Sequence, residues 1–155
     1  KIRGRWFIDP RLLPEYSAEA CVRIVPGAQA GDFPPGGLES RFTVSRRSDR
    51  MGLRLEGAAL PRRVATELTS APVAPGTVQV PPDGQPIVLL ADAQTIGGYP
   101  QVAHVATVDL PLLAQLRPGD TVRFRPVSLA AARSLLRARE HSLAVLRTGL
   151  KGKLQ

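Results

Sequence analysis

At 155 residues with 43% apolar content, the chain is sized for one globular domain with a buried core, and its single cysteine, Cys21, excludes a disulfide framework or a multi-cysteine metal centre. No apolar run is long enough to span a bilayer and no signal peptide opens the chain, so a cytoplasmic protein without a membrane partner is expected. The formal charge of +8 is carried mainly by arginine, while aromatics make up only 5% and are scattered, so no stacking platform for nucleic acid is expected.

Fourteen glycines and fifteen prolines punctuate the chain into short elements. Residues 1–19 show no period and read as an extended lead-in packed through Trp6, Phe7 and Ile8. "CVRIVPG" alternates, with Val22 and Ile24 on one face, and stops at Pro26-Gly27. Cys21, at its start, reads as a packed thiol. A short helix or loop follows over 28–40. "RFTVS" turns Phe42 and Val44 inward. "MGLRLEG" places Met51, Leu53 and Leu55 on one face, and "TVQV" turns Val78 and Val80 inward with Gln79 opposite. "PPDGQP" is a tight turn, because proline presets φ and Asp83-Gly84 tolerates positive φ. "IVLLAD" is apolar on both parities, as in a strand covered on both faces. "VAHVATV" and "TVRFRPV" are two further strands, with one short helix, "DLPLLAQLRPGD", between them. Some seven short strands with few helices point to a closed barrel or a sandwich.

From Ser128 the period becomes helical. Leu129, Ala132, Leu136, Leu143 and Leu146 share one stripe, Ser128 caps the start and Gly149 ends the helix. Six basic residues against one acid give this stretch +5, leaving fifteen against twelve, or +3, for the rest. The expected organisation is a lead-in at 1–19, a β domain at 20–127, a helix at 128–148 and a loose tail at 149–155.

Three stretches are polar where the pattern calls for structure. In "SRRSDRMG", Asp49 suits an Asx-type turn, and the fork of Arg50 suits a carboxylate or phosphate. In "QVPPDGQP", Gln79 and Asp83 flank a hairpin. In "LLADAQTIGGYPQ", Asp92 ends an apolar strand, where a carboxylate must be hydrogen-bonded, ion-paired or solvated at a pocket mouth. Gln94, Thr95 and Tyr99 add an amide and two hydroxyls, and Gly97-Gly98 allow close backbone approach. The adjacent glycines lack a following Gly-Lys-Ser/Thr, so this is not a phosphate loop. His104 and His141 lie 37 residues apart without metal-ligand spacing, and no metal site is expected. His104 reads as a half-buried, satisfied histidine.

"SDRMGLRLEG", "GTVQVPPDGQPIVLLADAQTIGGYPQVAHV" and "DLPLLAQLRPGD", taken together and in order, closely resemble the biotin-dependent carboxyltransferase family, also called allophanate hydrolase subunit two. That family includes the C subunit of oxoprolinase and the antagonist of the sporulation-kinase inhibitor. The resemblance runs from about Trp6 to about Glu140. It implies a mainly β, cyclophilin-like closed barrel with short helices and a C-terminal amphipathic helix. It also implies that the chain corresponds to the second of two tandem halves, with a first half and a companion subunit of similar fold as partners.

The activity implied is opening of the lactam of pyroglutamate to glutamate, driven by ATP in a complex. The alternatives are carboxyl transfer from carboxybiotin to urea and non-catalytic binding of a kinase inhibitor. ATP is the implied cofactor of the complex, and biotin that of the first alternative. By motif position and residue type, Asp92, Gln94 and Thr95 are the implied catalytic groups. Arg50, Gln79, Asp83, Gly97, Gly98 and Tyr99 are the implied substrate-binding groups, around a small amide or lactam at the barrel mouth.

Overall fold

Nine strands form among residues 14–64 and 66–151, which the computed structural model describes. They are β1 (Glu19–Pro26), β2 (Arg41–Val44), β3 (Gly52–Glu56), β4 (Ala71–Pro72), β5 (Thr77–Gln79), β6 (Ile87–Leu89), β7 (Ile96–Gly97), β8 (Gln101–Val105) and β9 (Thr121–Pro126). Seven of them close a barrel in the order β1-β8-β5-β6-β3-β2-β9, while β4 and β7 pair as a separate two-stranded sheet. The closing pair, β1 with β9, is parallel, and the other barrel pairs are antiparallel. The mainly β, closed-barrel fold with short helices and a C-terminal helix is the one expected from the sequence.

The two-residue alternation of side chains fills the interior. Val22, Ile24, Phe42, Val44, Leu53, Leu55, Val78, Val88, Val122 and Phe124 all lie in one buried cluster. Full burial of each such side chain is worth about 1.5–3 kcal/mol. Phe42 and Phe124 meet there with ring centroids 6.2 Å apart at a tilt of 55°. Closure at β1 relies on a glycine: a Cβ on Gly27 would lie 2.3 Å from the Gln101 carbonyl oxygen, so only glycine lets this turn meet β8.

The same alternation corrects two sequence expectations. Cys21 is exposed, because Val22 and Ile24 occupy the interior and the odd positions of β1 face outward. Met51 has the parity of Leu53 and Leu55 yet is 48% exposed, because it precedes β3 in the connecting turn. The stretch 28–40 forms two 3-10 turns, Ala30–Asp32 and Gly37–Glu39. "DLPLLAQLRPGD" is likewise shorter than expected as a helix. A 3-10 turn at Thr107–Asp109 leads into α1 (Leu110–Leu113), with Leu113 buried in the core.

The C-terminal helix α2 spans Leu129–Lys151. Ser128 caps it as expected, its Oγ accepting the Ala131 N–H at 3.1 Å. Gly149 does not end it, since that residue has no positive φ and the helix continues to Lys151. Leu129, assigned to the apolar stripe, is 52% exposed, and no residue of α2 is fully buried. The helix touches β1 and the 3-10 turn at Thr107–Asp109, where Arg139 donates to the Val108 carbonyl at 3.2 Å. No helix among the described residues is long and apolar enough to cross a membrane. The packing assigned to Trp6, Phe7 and Ile8 and the tail beyond Lys151 lie outside the described residues.

Candidate functional site

Register places three outward-facing residues in one row across the barrel wall: Arg54 of β3 lies opposite Ile87 of β6, which lies opposite Gln79 of β5. On an open wall such residues would meet water. Here the chain after β6 returns over the Gln79 end of the row, while Arg54 stays exposed. Leu90 and Asp92 donate backbone N–H groups to the carbonyls of Met51 and Arg50, at 3.0 and 3.3 Å, and tie the start of this loop to the turn before β3. The far end is held by pairing of β7 with β4 and by Val73 N–H to the Thr95 carbonyl at 2.9 Å.

Gln79 is therefore only 1% exposed, although it faces away from the barrel core. The pairing of β5 with β8 slips between Val78 and Gln79, and the β-bulge aims the amide beneath the loop. Its Nε2 donates to the Tyr99 carbonyl at 3.3 Å, which orients the amide plane. A Cβ on Gly97 would sit 2.8 Å from that same Nε2, so with any larger residue at 97 the buried Gln79 amide would have to shift from its bond to Tyr99.

Between wall and loop lies a pocket of 130 Å³. Its polar lining is Asp49, Arg54, Gln79, Gln94 and Tyr99, set against apolar Met51, Ile87 and Leu89. Asp49 makes the expected Asx turn, its Oδ1 accepting the N–H groups of Met51 at 2.8 Å and Gly52 at 3.1 Å. Arginine, aspartate, two glutamines and a tyrosine thus border a space the size of a small molecule; Gln79 is its buried floor, and the other four are exposed around it. That set matches a compact ligand carrying both an amide and a charge.

The residues singled out from the sequence are not all brought together. Gln79, Gln94 and Tyr99 line the pocket, with Gly97 directly behind Gln79. Asp92 does not line it. Its carboxylate pairs with Arg50, Nε to Oδ2 at 3.4 Å, and the two side chains are 51% and 92% exposed. Thr95 is exposed outside the pocket and contributes its carbonyl to Val73. Asp83 is exposed and accepts the Gln85 N–H at 3.0 Å, completing a turn around Gly84 at φ +74°. Gly98 and Tyr99 also border a second cleft of 510 Å³ shared with Leu60, Arg62 and Pro81, so Tyr99 stands between the two spaces.

The pocket opens on the outer wall, not at the barrel mouth as the sequence suggested, because its strand residues are the odd partners of a buried core. Arg54 was missed. It reads in sequence as a solvent-facing strand residue, and only the β3–β6–β5 register sets it beside Gln79. His104, on the outer face of β8, stands apart with its Nδ1 3.4 Å from the Thr77 hydroxyl. Burial holds its pKa below the usual 6.5, favouring the neutral ring.

Residues 3–126 match the family model described as carboxyltransferase domain, subdomain A and B. The chain belongs to this carboxyltransferase-domain family. It is 47% identical over 108 residues to the C subunit of 5-oxoprolinase from Haemophilus influenzae, covering 70% of this chain and 35% of that protein. It is 42% identical over 123 residues to the C subunit of 5-oxoprolinase from Escherichia coli, covering 77% and 39%. Among solved structures, the urea amidolyase of K. lactis superposes with a TM-score of 0.79 at 24% identity, over 86% of this chain and 9% of that one. The carboxyltransferase-domain chain therefore spans between a third and two fifths of the length of the two bacterial relatives.

Proposed function

We propose that this chain acts as the second half of an oxoprolinase-type subunit. With companion subunits of similar barrel fold, it couples ATP hydrolysis to opening of the lactam of pyroglutamate, giving glutamate. The observation that supports this most directly is the polar pocket on the barrel wall, bordered by Gln79, Gln94 and Arg54. It stands in a chain close to proteins named as the C subunit of 5-oxoprolinase. An unactivated lactam carbonyl is a poor electrophile, and phosphorylation of its oxygen supplies the leaving group. In that chemistry the fork of Arg54 takes the substrate carboxylate, and Gln79 and Gln94 align the lactam N–H and C=O through paired donors and acceptors. The Tyr99 hydroxyl orients the reacting oxygen. The nucleotide is assigned to companion subunits, and the work of this chain is holding and orienting.

The test follows glutamate and phosphate release together in the reconstituted complex, with Arg54→Ser and Asp92→Asn compared. Loss of the carboxylate clamp is expected to lower kcat/KM by about ten- to hundredfold, as for a charge-assisted contact. Asp92→Asn is expected to change it little, because Asp92 lies outside the pocket. Unchanged coupled turnover in Arg54→Ser would remove the pocket from the reaction. A second reading is favoured by the family description itself, carboxyl transfer to urea or a related amide from biotin carried elsewhere. It predicts amide-dependent decarboxylation of carboxybiotin and no pyroglutamate turnover. A stable complex with neither activity would favour a binding regulator.

A further inference from the structure

On the opposite part of the barrel, four arginines stand on the outer face of β2, β9 and β1. Arg41 of β2 lies opposite Arg123 of β9, whose other neighbour is Cys21 of β1. Two residues further along β9, Arg125 lies opposite Arg23. Adjacent strands run about 4.8 Å apart, and like charges placed directly opposite one another destabilise a sheet.

Two of the four are compensated from within the molecule. Arg23 is held by Asp109, only 1% exposed, which accepts both the guanidinium and the Arg23 backbone N–H at 2.7 Å. Arg41 is paired with Glu19. Arg123 and Arg125 are exposed and have no ion-pair partner among the described residues. Glu39, on the 3-10 turn that packs against β9, forms none with either. We propose that this face docks an acidic surface of a partner protein, with Arg123 and Arg125 as its uncompensated cations. Opposing carboxylates would relieve the cross-strand repulsion and take the guanidinium forks in bidentate pairs. Outward residues of these strands are arginine, threonine, glutamate, cysteine and valine. Exposed Tyr16 borders the cleft beside Cys21, but one ring is no stacking platform for successive bases, so protein carboxylates suit the face better than nucleic acid does.

The chain carries its own reporter, because its one cysteine, Cys21, lies in the Arg41–Arg123 row and is exposed. The experiment measures the rate at which a neutral maleimide labels Cys21 in the full chain while an oligoglutamate peptide is titrated in. Protection of about fivefold is expected at low salt, vanishing near 1 M, where charges more than about 3 Å apart are screened. The double variant Arg123→Ser/Arg125→Ser is expected to raise the half-protecting peptide concentration about tenfold, for two lost charge-assisted contacts. Arg133→Ser/Arg137→Ser, on exposed positions of α2, removes the same charge and is expected to leave it nearly unchanged.

Equal loss in both double variants would reduce the effect to net charge and overturn the proposal. Protection by a single-stranded oligonucleotide but not by the peptide would also overturn it, assigning the face to nucleic acid. If the double variant fails to fold, the wild-type titration decides: absence of protection at low salt overturns the proposal.

Discussion

Two walls of one barrel are built by the same alternation and end up with opposite characters. On β3–β6–β5 a returning loop crosses the row Arg54, Ile87 and Gln79: Gln79 becomes as buried as the core, Ile87 is half-buried and Arg54 stays exposed at the edge. On β2–β9–β1 the outward residues Arg41, Arg123, Arg125 and Cys21 are exposed, with no returning loop over them among the described residues. The first wall carries a small polar pocket, the second an exposed plane of arginines. What separates them is not the strands but what passes over them, and the roof depends on Gly97.

The largest effect is expected where the open wall is anchored. Asp109→Ala strips a buried carboxylate from the Arg23 guanidinium and also orphans the Arg23 N–H. Urea denaturation should report a loss of about 3 kcal/mol, since breaking a buried, hydrogen-bonded pair leaves the other charge uncompensated. A loss below about 1 kcal/mol would mean that the part-exposed Arg23 simply turns to water.

A middle-sized effect separates the two neighbouring glycines of the roof. Gly97→Ala forces a methyl onto the Gln79 amide and is expected to cost about 1–3 kcal/mol, as overpacking does, while weakening ligand binding. Gly98→Ala meets only the Ser70 hydroxyl at 3.5 Å and should be tolerated. Equal melting temperatures for the two variants would show that the loop is not seated on Gln79.

The smallest effect concerns β8, which lies between the two walls, where His104 faces Thr77 and Val25. Its pKa is lower in the folded chain than the unperturbed 6.5, because burial disfavours the imidazolium. The unfolded state therefore binds the proton first as pH falls. Stability should be full above the unfolded value and decline slightly as pH drops through and below it. His104→Gln should flatten that part of the pH–stability curve; an identical slope would assign the decline to other groups.

Much of this was legible in the sequence. Val22 with Ile24, Phe42 with Val44 and Val78 with Val80 announced an inward face, and Asp49, Asp83 and Ser128 announced a turn, a hairpin and a cap, because each of these depends on neighbours within a few residues. The candidate pocket was legible only in part. Gln79, Gln94, Gly97 and Tyr99 were marked out by polarity or by glycine in an apolar context, and the pocket gathers the three side chains with Gly97 behind them. Asp92 carried the same mark but is occupied by Arg50, whose side chain reaches it from another turn. Cys21 and Met51 were misplaced because a burial pattern does not say where a strand ends or which parity faces out.

By itself, then, the sequence determined a mainly β domain of short strands through local period and turn chemistry, and through its motif order the family resemblance that implied a closed barrel. Only the tertiary structure decided that Arg54 shares a row with Gln79, that the pocket lies on the outer wall, and that Arg123 is flanked by Arg41 with no ion-pair partner among the described residues. Each of those facts depends on the register between strands distant in the chain, and register is set by closure of the whole barrel.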